Sequence, residues 1–306
     1  MIIEKNKKDK VMEYIVDKDY ADNKLDKVLN HKISPSQITT IIDHDADVYT
    51  KEGKLLLRFR KGKLNKDNIE AFYTNVIKFA EGTSNNRGSA SGSKNKNIYE
   101  NPKVKSNIIG YFDKLTPIHK FMFKKRGIPL PKITVRETRF LTEYPEKYKK
   151  ILPLIKEIDK YYEQYIPEPY KKQRRKANQT PFKINGTAFT TVTTNVNYQT
   201  CVHRDKGDDI EGFGNLAVIE KGNYTGGETC FPQYGIGVDV RTGDILYMDV
   251  HEPHGNLPIE LETPDVKRLS IVCYLRKSIW DQTKGKTQKF RIQHNKTFKK
   301  NLAAKG

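Results

Sequence analysis

The sequence predicts an α+β protein: a double-stranded β-helix, or jelly roll, with flanking helices and an N-terminal extension. Three observations predict it. Beyond Lys183 the chain breaks into short β-rich segments (INGTAFTTVTTNVNY, GNLAVIEKG, GGETCFPQYG, IGVDVRTGDILYMDV and KRLSIVCYL) separated by Gly, Pro and Asp. Closely spaced strands with alternating inward and outward residues are the pattern of two packed sheets. Ahead of them, Tyr148, Ile151, Leu152, Ile155, Ile158, Tyr162 and Tyr165 recur at helical spacing, with lysines on most of the other face, which is the pattern of a helix laid on a sheet. Finally, 17 Tyr and 13 Phe in 306 residues are too many for a disordered chain.

Taken in order, residues 1–80 read as an α/β extension packed on the core. The stretch before residue 46 is polar, with a short helix expected near Val11 to Val28. ADVYTKEGKLLLRFRKGKL predicts two strands around Glu52-Gly53, because Gly beside a polar residue between β-rich runs signals a hairpin. Asp67 to Ala80 carries Ile69, Phe72, Val76, Ile77 and Phe79 at helical spacing. Residues 81–100 hold a Gly-, Ser- and Asn-rich run without a large apolar residue, so a flexible loop is expected, or an arm whose Arg87, Lys94 and Lys96 touch phosphates. Residues 101–282 form the jelly-roll domain, supported by the helix at 145–165; IPLPKITVRETRF adds a strand, and Pro167 and Pro169 end the helix ahead of the basic run KKQRRKANQ. Residues 283–306 are a basic tail that frays unless Phe290 and Ile292 dock it.

Lys and Arg exceed Asp and Glu by 19, a field that attracts polyanions, nucleic acid first. The alternative is codon bias: Lys- and Asn-rich text also suits a virus or an AT-rich protist. No stretch approaches the roughly 18 apolar residues that span a bilayer, and no apolar segment follows the charges of the amino terminus, so neither membrane insertion nor signal-directed secretion is expected. Cys201, Cys230 and Cys273 lack paired spacing, which argues for reduced thiols in a cytoplasmic or nuclear compartment.

The chemistry concentrates between Asn195 and Tyr274. His203 and Asp205 are two apart, which on an extended segment turns both side chains to one face. After the Gly243-Asp244 turn and a strand, His251 and His254 each offer a third ligand. Two imidazoles and one carboxylate, with the remaining positions open, is the facial triad of a non-haem Fe(II) oxygenase. Fourteen residues past His254, Arg268 and Ser270 are again two apart, so a guanidinium fork and a hydroxyl share a face and suit the far carboxylate of 2-oxoglutarate. Asn195, Asn197 and Tyr198 lie just before His203 and can face the cosubstrate, Asn197 being the one to test. Gly226-Gly227 reads as a turn or bulge without a catalytic role. His31, His44, His119 and His294 read as ordinary residues. Asp208, Asp209 and Glu211 are an acidic loop, either solvated or shaping the mouth of the site.

His203-Arg204-Asp205, Gly243-Asp244 with His254, and Arg268-Leu269-Ser270, set in GTAFTTVTTNVNYQTCVHRDKGD and GNLAVIEKGNYTGGETCFPQYGIGVDVRTGDILYMDVHEPHGN, resemble the Fe(II)- and 2-oxoglutarate-dependent dioxygenases, and most closely their TET/JBP branch. The resemblance covers about residues 184 to 277. It implies iron held by His203, Asp205 and His254, since the family's distal ligand follows the turn glycine at this distance and precedes a small residue, here Gly255. It also implies 2-oxoglutarate chelating the metal and salt-bridged to Arg268, dioxygen as the oxidant, and hydroxylation of the 5-methyl group of thymine or 5-methylcytosine in DNA. The partner is then duplex DNA with a flipped base. A prolyl or lysyl protein hydroxylase would use the same iron site, and is the alternative.

Overall fold

The computed structural model describes residues 2–6, 11–82, 88–92 and 104–303. In chain order its elements are β1 (Ile2–Asn6), β2 (Met12–Val16), β3 (Thr40–Ile42), β4 (Ala46–Thr50), β5 (Leu55–Arg60), α1 (Lys66–Ala80), β6 (Ser106–Phe112), α2 (Pro117–Lys125), β7 (Arg136–Glu137), α3 (Arg139–Glu143), α4 (Pro145–Tyr165) and α5 (Pro167–Asn178). There follow β8 (Thr191–Val196), β9 (Gly214–Lys221), β10 (Tyr224–Gly226), β11 (Thr229–Phe231), β12 (Ile236–Val238), β13 (Ile245–Met248), β14 (Gly255–Asn256), β15 (Ile259–Leu261), β16 (Lys267–Tyr274), α6 (Lys277–Thr283) and α7 (Gln288–Leu302).

Among the described residues the strands form a large sheet, ordered β1-β2-β4-β5-β13-β9-β16-β8-β6-β7, a facing sheet, β14-β11-β12-β3, and the pair β10-β15. This is a jelly roll with its helices on the outer face of the large sheet. The N-terminal strands are members of both sheets: β5 pairs with β13 and β3 with β12.

The period of two along each strand explains the layering. On β16, Leu269, Ile271 and Cys273 face the helices, as do Val192 and Val196 of β8, Ala217 and Ile219 of β9, and Ile245 and Tyr247 of β13. Arg268, Ser270, Val272 and Tyr274 take the alternate positions and face the space between the sheets. That space is filled at one end by Val48, Leu57, Phe59, Val218, Phe231 and Leu246, among others. At the other end it opens into a cavity.

α4 runs over the predicted span and buries Ile151, Leu154, Ile155, Ile158 and Tyr162. Each fully buried side chain of this size contributes about 2 kcal/mol. Pro145 stands at its first turn, where no intrahelical N–H is needed. α1 starts one residue before the expected Asp67, because the Asn65 side chain accepts from the amides of Asp67 and Asn68.

Three local expectations are corrected and one is extended. The helix expected near Val11 to Val28 is strand β2 and a short 3-10 turn at Asp22–Lys27; Tyr14 and Val16 alternate inward, and pairing with β4 outweighs helical propensity. α4 ends at Tyr165, ahead of Pro167 as expected, and Pro167 then opens α5 as its first residue, so the basic run after it is helical. The tail is helix α7, which docks Phe290 and Phe298 but leaves Ile292 60% exposed. Of the Gly- and Ser-rich run, Gly88–Ser91 forms a 3-10 turn whose Ala90 and Ser91 are buried; Arg87, Lys94 and Lys96 lie outside the described residues. Cys201, Cys230 and Cys273 are free and buried.

Candidate metal centre and cosubstrate site

A cavity of about 680 Å³ lies between the sheets. His203 and His254 meet there because their backbones form an antiparallel bridge, His203 N to His254 O at 2.9 Å and His254 N to His203 O at 3.0 Å. The amide of Asp205 donates to Val250 O at 2.9 Å, which turns the next residue but one back towards the rings. The result is a compact set: one ligand atom each from His203, Asp205 and His254, all within 4.8 Å of one another. His203 Nε2 stands 3.6 Å from Asp205 Oδ1, and His254 Nε2 stands 3.8 Å from Asp205 Oδ2.

The other ring nitrogens are engaged in the same way. His203 Nδ1 donates to Cys201 O at 2.7 Å and His254 Nδ1 to Glu252 O at 2.9 Å, each two residues back. A carbonyl can only accept, so the proton sits on Nδ1 and Nε2 keeps its lone pair towards the shared centre.

His251 is not part of this set. Its backbone N–H and its Nδ1 both reach Asp249 Oδ1 at 3.0 Å. Lys54 Nζ lies 2.6 Å from Asp249 Oδ2. Burial works to raise the Asp249 carboxyl, yet the His251 and Lys54 contacts outweigh it and bring it down to about 2. The same carboxylate holds the His251 imidazole above its ordinary range.

Arg268 and Ser270 line the cavity as the alternation of β16 requires. Arg268 is 5% exposed; it donates to Gly227 O at 2.8 Å, and its Nε has no partner among the described residues. Gly227 makes this contact feasible, since a Cβ there would fall 2.9 Å from Arg268 Nε. The expectation of a plain turn at Gly226-Gly227 therefore missed a positioning role, and only the left-handed φ of +79° that Gly tolerates hinted at it.

Asn197 does not face the cavity. The chain leaves β8 through a left-handed residue there, φ +48°, and the side chain is spent on Val266 O (2.7 Å) and on the Arg268 amide (2.6 Å). Asn195, one step back in the strand alternation, is the asparagine that lines the cavity. Its Nδ2 donates to Ser270 Oγ at 3.2 Å and its buried Oδ1 lacks a partner. Asn197 thus holds the two strands together beneath Arg268.

The mouth is lined by Phe112, Lys114, Asp208, Tyr274 and Arg276. Asp209 N donates to Leu275 O, and Lys277 N to Gly207 O, which ties the acidic loop to the end of β16. Asp208 faces the cavity. Asp209 and Glu211 instead turn to Lys176 of α5, with Nζ 2.5 and 2.7 Å away. Of the remaining histidines, His44 bonds the Tyr14 hydroxyl, His119 closes the capping box of α2, and His294 meets Val135 O. No helix among the described residues is long and apolar enough to cross a membrane.

Comparison with known proteins agrees with this geometry. Residues 120–277, just over half of the chain, match the Tet_JBP family, described as the oxygenase domain of the 2OGFeDO superfamily. The chain is 31% identical over 179 residues to the thymine dioxygenase JBP1 of Trypanosoma brucei brucei, covering 58% of this chain and 20% of that protein. It is 34% identical over 171 residues to the bifunctional helicase and thymine dioxygenase JBP2 of Leishmania braziliensis, covering 55% of this chain and 14% of that one. The matches therefore span a fifth or less of those relatives. Among solved structures, NgTET1 in complex with 5mC DNA shares the fold at a TM-score of 0.55 and 15% identity, over 92% of this chain and 90% of that one.

Proposed function

Since the chain belongs to the Tet_JBP family, the oxygenase domain of the 2OGFeDO superfamily, we propose that it is an Fe(II)- and 2-oxoglutarate-dependent dioxygenase that hydroxylates the 5-methyl group of thymine or 5-methylcytosine in DNA. The observation that carries this reading is the pairing, in one cavity, of a two-histidine, one-carboxylate set with a buried guanidinium that has no carboxylate beside it among the described residues.

The residues fit the two groups they would hold. His203, Asp205 and His254 offer two neutral imidazole nitrogens and a carboxylate, a donor set suited to Fe(II) with open positions left over. A buried charge without a partner is costly, so Arg268 with its orphaned Nε fits the distal carboxylate of 2-oxoglutarate; Ser270, whose Oγ accepts from Asn195 Nδ2, keeps its hydroxyl proton to donate to the same carboxylate. Bound there, iron with 2-oxoglutarate and dioxygen would supply the oxidation that turns a methyl C–H into C–OH, while the cosubstrate leaves as succinate and carbon dioxide.

The chain's own work is positioning. The two Nδ1 contacts fix ring orientation and tautomer, and Gly227 O and Asn197 fix Arg268. A volume of about 680 Å³ can take a dicarboxylate and a nucleobase together. A base stacked in a duplex cannot reach a cavity between two sheets, so it must be flipped. Phe112, with the Arg276 guanidinium 4.6 Å from its ring centroid, and Tyr274, bonded to Thr193 Oγ1 at 2.9 Å, give the cavity wall an aromatic component.

The test is incubation of the purified protein with Fe(II), ascorbate, 2-oxoglutarate and DNA containing thymine or 5-methylcytosine, followed by nucleoside mass spectrometry. A hydroxymethylated nucleoside is expected, and His203→Ala or Asp205→Ala should abolish both it and succinate release. Oxygen gained by a prolyl or lysyl peptide and by neither base would overturn the assignment.

A further inference from the structure

The surface beside the cavity mouth has an unusual charge pattern. Residues 114–136 contain seven Lys and Arg and no Asp or Glu. Lys114, Lys120, Lys124, Lys125 and Lys132 are exposed and have no ion pair among the described residues. Some lysines on other helices have a carboxylate close by, Lys149 at Glu146 and Lys171 at Glu168. Nothing comparable neutralises this stretch.

α2 is the element that presents it. Its inner side packs on α7, with the rings of His119 and Phe123 5.6 and 5.9 Å from that of Phe298. The Thr116 side chain accepts from His119 N at 3.2 Å and fixes its start. The outer side carries Phe121, 61% exposed, and Ile118, 72% exposed. With 3.6 residues per turn, Lys120, Lys124 and Lys125 surround Phe121 on that face. A solvated helix face has no use for two large apolar side chains in the middle of a cationic surface. The chain enters α2 straight from Phe112 and Lys114, which line the cavity mouth.

We infer that α2 and the loop after it form the face on which duplex DNA docks, with the lysines holding phosphates and Ile118 and Phe121 pressed against the base steps beside the flipped nucleotide. The inference rests on the DNA reading above and names the surface that reading needs. Charge complementarity selects a polyanion. The apolar pair selects one with stacked bases, because side chains of this kind insert between base steps and unstack them, which lowers the cost of flipping.

The full chain is tested by fluorescence anisotropy with a labelled 20-base-pair duplex across a salt series. Joint replacement Lys120→Gln, Lys124→Gln and Lys125→Gln should weaken binding and flatten the slope of log affinity against log salt by about 2.7, at about 0.9 per phosphate contact. Ile118→Ser with Phe121→Ser should weaken binding roughly ten-fold and leave the slope unchanged, since no charge is removed. Thermal melting of all variants should match the parent, because the substituted side chains are exposed. If the parent binds duplex and both variants bind it equally well, the inference falls while the DNA reading stands. If the parent binds no duplex at any salt, both fall. Sedimentation with phosphatidylcholine–phosphatidylserine vesicles, or self-association, that these substitutions abolish without touching duplex affinity would reassign the face and overturn the inference.

Discussion

Gly227→Ala tests the support of Arg268 most directly. The new Cβ would lie 2.9 Å from Arg268 Nε, 3.2 Å from its Cδ and 3.2 Å from Ile259 Cγ1, at a backbone φ of +79°. The left-handed conformation costs an alanine about 1 kcal/mol or more, and overpacking a buried site costs about 1 to 3 kcal/mol. Two responses are available: the loop strains, or the guanidinium retreats. Retreat breaks the 2.8 Å bond to Gly227 O and moves the fork from its carboxylate, a charge-assisted contact of about 1.5 to 3 kcal/mol, or roughly 10- to 150-fold in affinity. The KM for 2-oxoglutarate, read from succinate release, should rise at least ten-fold in Gly227→Ala. Gly226→Ala is the control: its Cβ would sit 1.9 Å from Pro258 O and does not approach Arg268. It should lower the melting temperature while folded protein keeps the parent KM. Parent-like KM and melting in Gly227→Ala would refute the reasoning.

Three further outcomes follow from particular contacts. Asp249 has a depressed folded pKa of about 2 against an ordinary 3.8, so its stabilisation, about 2 kcal/mol, is present above pH 4 and lost as pH falls through 2; Asp249→Asn should lower stability at pH 7 by that order, measured by urea unfolding, and shrink the difference below pH 3. Lys176→Met leaves Asp209, 3% exposed, without its cation, and should cost about 3 kcal/mol in the same assay. His254→Ala should lose bound Fe(II) on dialysis while His251→Ala retains it, because His251 is committed to Asp249; loss of iron from the latter alone would exchange their roles.

Much of the core was legible because its signals are periodic. The i, i+3, i+4 spacing of Ile151, Ile155, Ile158 and Tyr162 marked α4, and the parity of Arg268 with Ser270 survived into three dimensions because strand β16 preserves it; His203 and Asp205 lie outside the strands and meet through the bridge to His254 and the bond from Asp205 N to Val250 O. What escaped was decided by partners distant in sequence. Met12–Val16 becomes a strand by pairing with β4. The tail becomes α7 because Phe290, His294 and Phe298, four apart, form one ring column, Phe290 stacked on His294 and Phe298 tilted against it, a stripe obscured by the intervening polar residues. Asn195 and Asn197 share a parity, so alternation alone does not separate them; the left-handed conformation of Asn197 takes it out of the strand and commits its side-chain amide to β16.

The excess of 19 positive charges has a similar lesson, because a total says nothing of where charge is available. The sequence leaves the basic run of α5 as either a solvated face or a polyanion contact; in the structure Lys176 is engaged by Asp209 and Glu211, and Lys172 lies 3.4 Å from Glu211. That pairing also accounts for an acidic loop in a basic protein: it anchors the segment following Asp205, and with it the carboxylate of the metal set, to the helical layer. Lysines spent on holding a loop cannot also release counterions from DNA. The cations around Phe121 have no such internal duty among the described residues, so they, and not α5, should set the salt dependence of binding. Neutralising Lys171, Arg175 and Lys172 should therefore move the slope less than neutralising Lys120, Lys124 and Lys125; the reverse order would place the duplex on the helical side, away from the mouth of the cavity.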